Sequence, residues 1–116
     1  MDLKNSVAVV TGGNGGLGQR ICHALAAQGA HVAVLYARSG DDAQTVANSL
    51  QQSHGVKAAA IVCDVTDPKS VAAMVDDVVA RFGRLDILVN DAAFNKSIPF
   101  HDIDSLTPEI WAKIID

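Results

Sequence analysis

Val7-Ala8-Val9-Val10-Thr11-Gly12-Gly13-Asn14-Gly15-Gly16-Leu17-Gly18 is the stretch whose reading decides the fold. Its first four residues are apolar and mostly β-branched, which suits a short strand buried on both faces. A glycine-rich turn follows. Leu17, Ile21, Ala24 and Leu25 then recur at helical spacing on one face, and Gly29 is placed to end that helix. A helix that opens inside a glycine turn offers unpartnered backbone N–H groups and the positive end of its dipole, and glycine removes the Cβ that would keep an anion away. Two spacings fit. Gly13, Gly15 and Gly18 satisfy G-x-G-x-x-G, whereas Gly12, Gly16 and Gly18 satisfy a looser T-G-x-x-x-G-x-G that starts at Thr11. Asn14, inside the turn, is able to add a contact. The competing phosphate cradle, the P-loop, ends in Gly-Lys-Ser/Thr, and Gln19-Arg20 after Gly18 excludes it.

The pattern repeats outward. A second strand is expected at His31 to Tyr36, and a second helix through Ala43, Val46, Ala47 and Leu50 ends near Gly55, with Asp41 expected to cap it. Lys57 to Val65 reads as a third strand. Thr66 or Asp67 can cap the next helix, with Pro68 near its first position, and Val71, Val75, Val78, Val79 and Phe82 mark its apolar face before Gly83. Leu85 to Val89 reads as a fourth strand, Phe94 to Ser105 as a loop, and Thr107-Pro108-Glu109 as the start of a further helix. Alternating strands and helices imply an α/β domain over residues 1–116 with a parallel sheet, right-handed crossovers and helices on both faces.

Composition narrows the function. The 116 residues are 49% hydrophobic and carry nine basic against thirteen acidic residues, for a net charge of −4, with 4% aromatics. That sign and that scarcity of stacking side chains argue against nucleic acid as a partner. The mean hydropathy of +0.22 argues against disorder. No apolar run is long enough to span a membrane and the first residues lack the series of a secretory signal, so a soluble, cytoplasmic protein is expected. Cys22 and Cys63 lack metal-ligand spacing and read as small buried thiols; no metal site is expected.

The T-G-x-x-x-G-x-G spacing, with Cys63-Asp64-Val65 ending the third strand and Asn90-Asp91-Ala92-Ala93 ending the fourth, resembles the short-chain dehydrogenase/reductase family. The resemblance runs over about residues 5–116, although Asp91 and Ala93 depart from the usual Asn-Asn-Ala-Gly. It implies a Rossmann-type, doubly wound parallel sheet with strand order 3-2-1-4, an NAD(P)-dependent oxidoreductase, and a dimer or tetramer for the complete protein. It further implies that Gly12, Gly16 and Gly18 form the phosphate turn and that Leu17 lends its backbone N–H. Asp64 would bond the adenine amino group and Val65 contact the adenine ring. Asn90, Ala92 and Ala93 would line the ribose and approach the nicotinamide.

The end of the second strand chooses the cofactor. A site for NAD wants a carboxylate there for the ribose 2′-OH, and a site for NADP wants a cation. Val34-Leu35-Tyr36 is followed by Ala37-Arg38-Ser39, a guanidinium fork and a hydroxyl suited to a phosphate monoester, and the first acids, Asp41 and Asp42, come late. NADP is the expectation, with NAD second.

In the resembled family a serine and a Tyr-x-x-x-Lys do the proton chemistry on a carbonyl or alcohol substrate. The only tyrosine, Tyr36, sits at the wrong strand end without a lysine four residues on, so no catalytic residue is assigned in this chain. His23, His31 and His54 read as structural or exposed, and His101 has no evident partner. The chain is therefore expected to be the cofactor-binding, N-terminal part of a longer enzyme, its fourth strand an open edge and its last helix an apolar face. Two other readings stay open: a non-catalytic dinucleotide-binding or interaction module, and a flavodoxin-like domain that would bind FMN and absorb visible light. A serine and a Tyr-x-x-x-Lys beyond Asp116 would separate enzyme from module.

Overall fold

A computed structural model describes residues 3–12 and 15–90 of the chain. In order they form β1 (Val7–Thr11), α1 (Gly16–Ala27), β2 (His31–Tyr36), α2 (Gly40–His54), β3 (Ala58–Val62), α3 (Pro68–Phe82) and β4 (Ile87–Asn90). All strand pairings are parallel and the order is β3-β2-β1-β4, the doubly wound arrangement expected. Because β1 is flanked on both sides, all five of its residues are buried, which is why the sequence there is apolar without alternation.

The helices divide between the two faces. Cys22 and Ala26 of α1 and Ala43, Val46, Ala47 and Leu50 of α2 pack with Val10, Val32 and Val34 on one side. Val71, Met74 and Val78 of α3 pack with Val7, Val9, Ala33, Leu35, Ile61 and Leu88 on the other. The chain thus winds outward from β1 through β2 to β3 with its helices on one face, then crosses back over the opposite face to place β4 beside β1. That reversal opens a crevice at the carboxyl ends of β1 and β4.

Local details separate expectation from outcome. Gly29 does follow α1, at φ +95, and a Cβ there would stand 2.9 Å from the Lys4 Cα, so the left-handed turn and the close approach both require glycine. Asp67, rather than Thr66, caps α3 by accepting the Lys69 N–H at 3.0 Å. Asp41 does not cap α2. The cap position is Ser39, left-handed at φ 61 with no side-chain cap bond, and Asp41 lies in the first turn. Gly40 permits the earlier start, because the Tyr36 ring sits 3.1 Å from where a Cβ would be. The third strand runs over Ala58–Val62 instead of reaching Val65, because its partner β2 stops at Tyr36 opposite Val62. Leu17 is 62% exposed and Val79 46%, so neither belongs to the buried stripe of its helix. The first turn of α1 stands at the sheet's edge, where the core ends. Cys22 and Cys63 are buried free thiols. No described helix is long and apolar enough to cross a membrane. The loop from Phe94, the helix start at Thr107 and His101 lie outside the described residues.

At the other edge of the sheet, Asp86 ties β4 to β1. Its Oδ2 accepts the Val7 N–H at 2.8 Å and its Oδ1 accepts from Arg84 at 2.7 Å. The Arg84 hydrogen bond leads in holding this carboxyl below its ordinary range; partial burial opposes it, and the Val7 N–H and the Arg84 charge add to the depression. A carboxyl whose folded value is depressed stabilises the fold above its unfolded value of about 3.9, and that contribution is lost as pH falls through the folded value. Asp86→Asn is expected to flatten the acid limb of the stability curve. Urea unfolding at neutral pH and near pH 3 checks this, and an unchanged pH dependence in the variant would contradict it.

Candidate functional site

Parallel pairing brings the carboxyl ends of β3, β2, β1 and β4 into one row. With strands about 4.8 Å apart, the row spans roughly 14 Å. At its centre β1 ends in Thr11, which is 1% exposed and whose hydroxyl donates to Asn90 Oδ1 at 2.9 Å. Asn90 stands opposite Thr11 in register. The bond crosses the crevice where the winding reverses and spends the amide oxygen of Asn90 on Thr11.

The chain leaves β1 through Gly12 in the left-handed region, at φ 63. Gly15 precedes α1 in an extended conformation, and among the described residues no side chain caps the helix. Its N–H donates to the Gly12 carbonyl at 3.0 Å, which closes the turn. Among the described residues, its chain neighbours and its own helix backbone apart, no heavy atom stands within 4 Å of where a Cβ would be at Gly16, while Gly18 is buried. An uncapped helix start with open space over Gly16 fits an anionic group, and the first N–H groups of α1, including that of Leu17, have no intrahelical acceptor. The exposure of Leu17 is consistent with a place at the mouth of this hollow.

Arg38 and Ser39 are exposed between β2 and α2. Past β3, Asp64 is exposed and Val65 is half-buried, its side chain against the core on the α3 face. Thr66 donates to Asp64 Oδ1 twice, from Oγ1 at 2.6 Å and from its backbone N–H at 3.0 Å. Those two bonds hold the Asp64 carboxyl below the usual carboxylate range, the side-chain bond being the stronger cause. The neighbouring Cys63 thiol is pushed up, chiefly by burial, although a hydrogen bond with Ser70 opposes the shift. Buried, with its thiol pushed up, Cys63 lacks the exposed, electropositive setting of a reactive thiolate. Gly12, Gly16, Leu17, Gly18, Arg38, Ser39, Asp64, Val65 and Asn90 thus all stand at or beside one edge of the sheet. Asn14, Ala92 and Ala93 lie outside the described residues.

Three contacts escaped the sequence reading. The Thr66 hold on Asp64 had a readable signal, since a threonine two residues after an aspartate is an Asx-turn pattern. The Thr11–Asn90 bond had none, because it joins residues 79 apart. Nor did the hydrogen bond between His23 Nδ1 and His54 Nε2, 3.0 Å long, which joins α1 to α2 away from the strand ends. Among the described residues no group of three or more His, Cys, Asp or Glu could hold a metal ion.

Residues 6–116 match the short chain dehydrogenase family. The chain belongs to the short-chain dehydrogenase/reductase family. It is 39% identical to sorbose reductase of Candida albicans over 98% of its own length and 40% of that protein's. It is 37% identical to the short-chain dehydrogenase/reductase homolog YusS of Bacillus subtilis, covering 95% of this chain and all of that one. Among solved structures, a hydroxysteroid dehydrogenase from Escherichia coli superposes with a TM-score of 0.74 at 34% identity, over 85% of this chain and 41% of that one. An NAD+-bound xylitol dehydrogenase gives 0.73 at 29% identity, over 98% and 42%. YusS apart, the chain spans about two-fifths of these relatives. The family is one of NAD(P)-binding oxidoreductases, and the uncapped start of α1 suits a dinucleotide phosphate.

The hydroxyl of Thr11 can be tested alone. Thr11→Val keeps the shape and leaves Asn90 Oδ1 without that donor, so urea unfolding is expected to show a loss of about 1–3 kcal/mol. An unchanged midpoint would show that the bond carries no stability.

Proposed function

We propose that this chain is the cofactor-binding portion of an NADP-dependent oxidoreductase that moves a hydride between the nicotinamide and a small carbonyl or alcohol substrate. The observation that carries the reading is the uncapped first turn of α1 at the centre of the strand-end row, with open space over Gly16. Gly12 turns the chain, and the N–H groups of Gly16, Leu17 and Gly18 bind the diphosphate, with Asn14 beside them. Arg38 and Ser39 take the 2′-phosphate; both are exposed, and no carboxylate lies between Tyr36 and Asp41 to claim a 2′-OH. Asp64 and Val65 border the adenine. Asn90, oriented by Thr11, borders the ribose with Ala92 and Ala93 and leads toward the nicotinamide.

The cofactor supplies or accepts the hydride; the residues above bind and orient it. No group of this chain is assigned to proton transfer. A cytoplasmic homo-oligomer is the setting this reading adopts.

Fluorescence titration with NADPH and NADH tests it. NADPH is expected to bind more tightly. Arg38→Ala should weaken NADPH by about tenfold or more while changing NADH by less than about twofold. Equal losses for the two would overturn the NADP assignment, and failure to bind either would overturn the dinucleotide reading.

A further inference from the structure

Asp64 is held more tightly than an exposed strand-end carboxylate needs to be. Its backbone N–H donates to Ser70 Oγ at 2.8 Å and its carbonyl accepts the Asp67 N–H at 3.0 Å, so α3 fixes its main chain. Its Oδ1 accepts both Thr66 bonds, 2.6 and 3.0 Å, and two lone pairs are all that a carboxylate oxygen offers in its plane. Oδ1 is therefore saturated and the carboxyl plane is set. Among the described residues nothing bonds Oδ2, which is the acceptor left for a ligand, on an exposed residue beside the row of strand ends.

We propose that Thr66 is a positioning residue that makes Asp64 a selector of 6-amino over 6-oxo purine dinucleotides. The inference rests on the dinucleotide reading above. With Oδ1 occupied, Oδ2 presents an acceptor only. The exocyclic amino group of adenine donates to it, whereas a 6-oxo purine sets its own carbonyl oxygen against it, and two acceptors facing each other repel. The Thr66 bonds hold the Asp64 carboxyl below the usual carboxylate range, so it stays an acceptor throughout the neutral range.

The pin has a second consequence. Thr66 contributes two donors, so the amide of an Asp64→Asn variant places its carbonyl oxygen on Thr66 and turns its NH2 outward. The selector then reverses, because an NH2 group donates to a 6-oxo purine and confronts the amino group of adenine. A loosely held side chain would flip and accept either base.

The experiment is calorimetric titration of the protein with NADP+ and with its 6-oxo analogue, nicotinamide hypoxanthine dinucleotide phosphate. The natural sequence is expected to favour NADP+ on the order of tenfold, one charge-assisted hydrogen bond at an exposed site. Thr66→Ser, which keeps both donors, should retain that ratio; Thr66→Val, which loses the hydroxyl, should bring it toward one; Asp64→Asn should invert it. Should Thr66→Val fail to fold, the Ser and Asn variants carry the test. Equal binding of the two dinucleotides to the natural sequence, an undiminished preference in Thr66→Val, or an Asp64→Asn variant that discriminates neither base would overturn the proposal and leave the dinucleotide reading intact. Binding of neither compound would overturn that reading itself.

Discussion

Parallel pairing is the constraint from which the rest follows. A parallel sheet sends every connection over a face and back, so all carboxyl ends gather at one edge, and α1, α2 and α3 all start there. In this chain the winding reverses at β1, and the hydroxyl of Thr11 reaches across the resulting crevice to Asn90. Asp86 makes the matching bond to Val7 at the opposite edge. The two bonds hold β1 and β4 in register at both ends, and the glycine turn leaves from the fixed end. The ligand proposed above would supply an acceptor to that helix start.

The core and the site make opposite demands on the same strands. Along β1 and the interior of β2 the residues are apolar or β-branched, with no polar alternation, because each face is covered by helices. At their carboxyl ends the sequence turns abruptly polar or glycine-rich: Thr11-Gly12, Ala37-Arg38-Ser39, Asp64, Asn90. The change occurs within one residue of each strand's end or two, so rigidity of the sheet is transmitted to side chains that hang just beyond it. Thr66 extends the same logic outward, fastening a carboxylate that the sheet alone does not reach.

Legibility in the sequence followed range. Buried parallel strands announce themselves as uninterrupted apolar runs, and helix ends announce themselves as glycines; hence the element order, the strand order carried by the family resemblance, and Gly29 as the stop of α1 all agree with the structure. Where an outcome hung on a single packed ring, pattern failed. α2 starts at Gly40, where the Tyr36 ring leaves little room for a Cβ, and so begins ahead of Asp41, the residue whose chemistry best suits a cap. Leu17 fitted the helical stripe by spacing yet projects past the core, because periodicity carries no information about where the sheet ends. The Thr11–Asn90 contact lies beyond any local pattern.

The central claim is that the first turn of α1 receives a dinucleotide diphosphate. Amide chemical-shift mapping of the protein titrated with NADPH addresses it residue by residue. The account predicts that the N–H signals of Gly16, Leu17 and Gly18 move furthest, with smaller shifts at Arg38 and Asp64. Saturating NADPH that leaves those three amides in place while signals elsewhere move would contradict it.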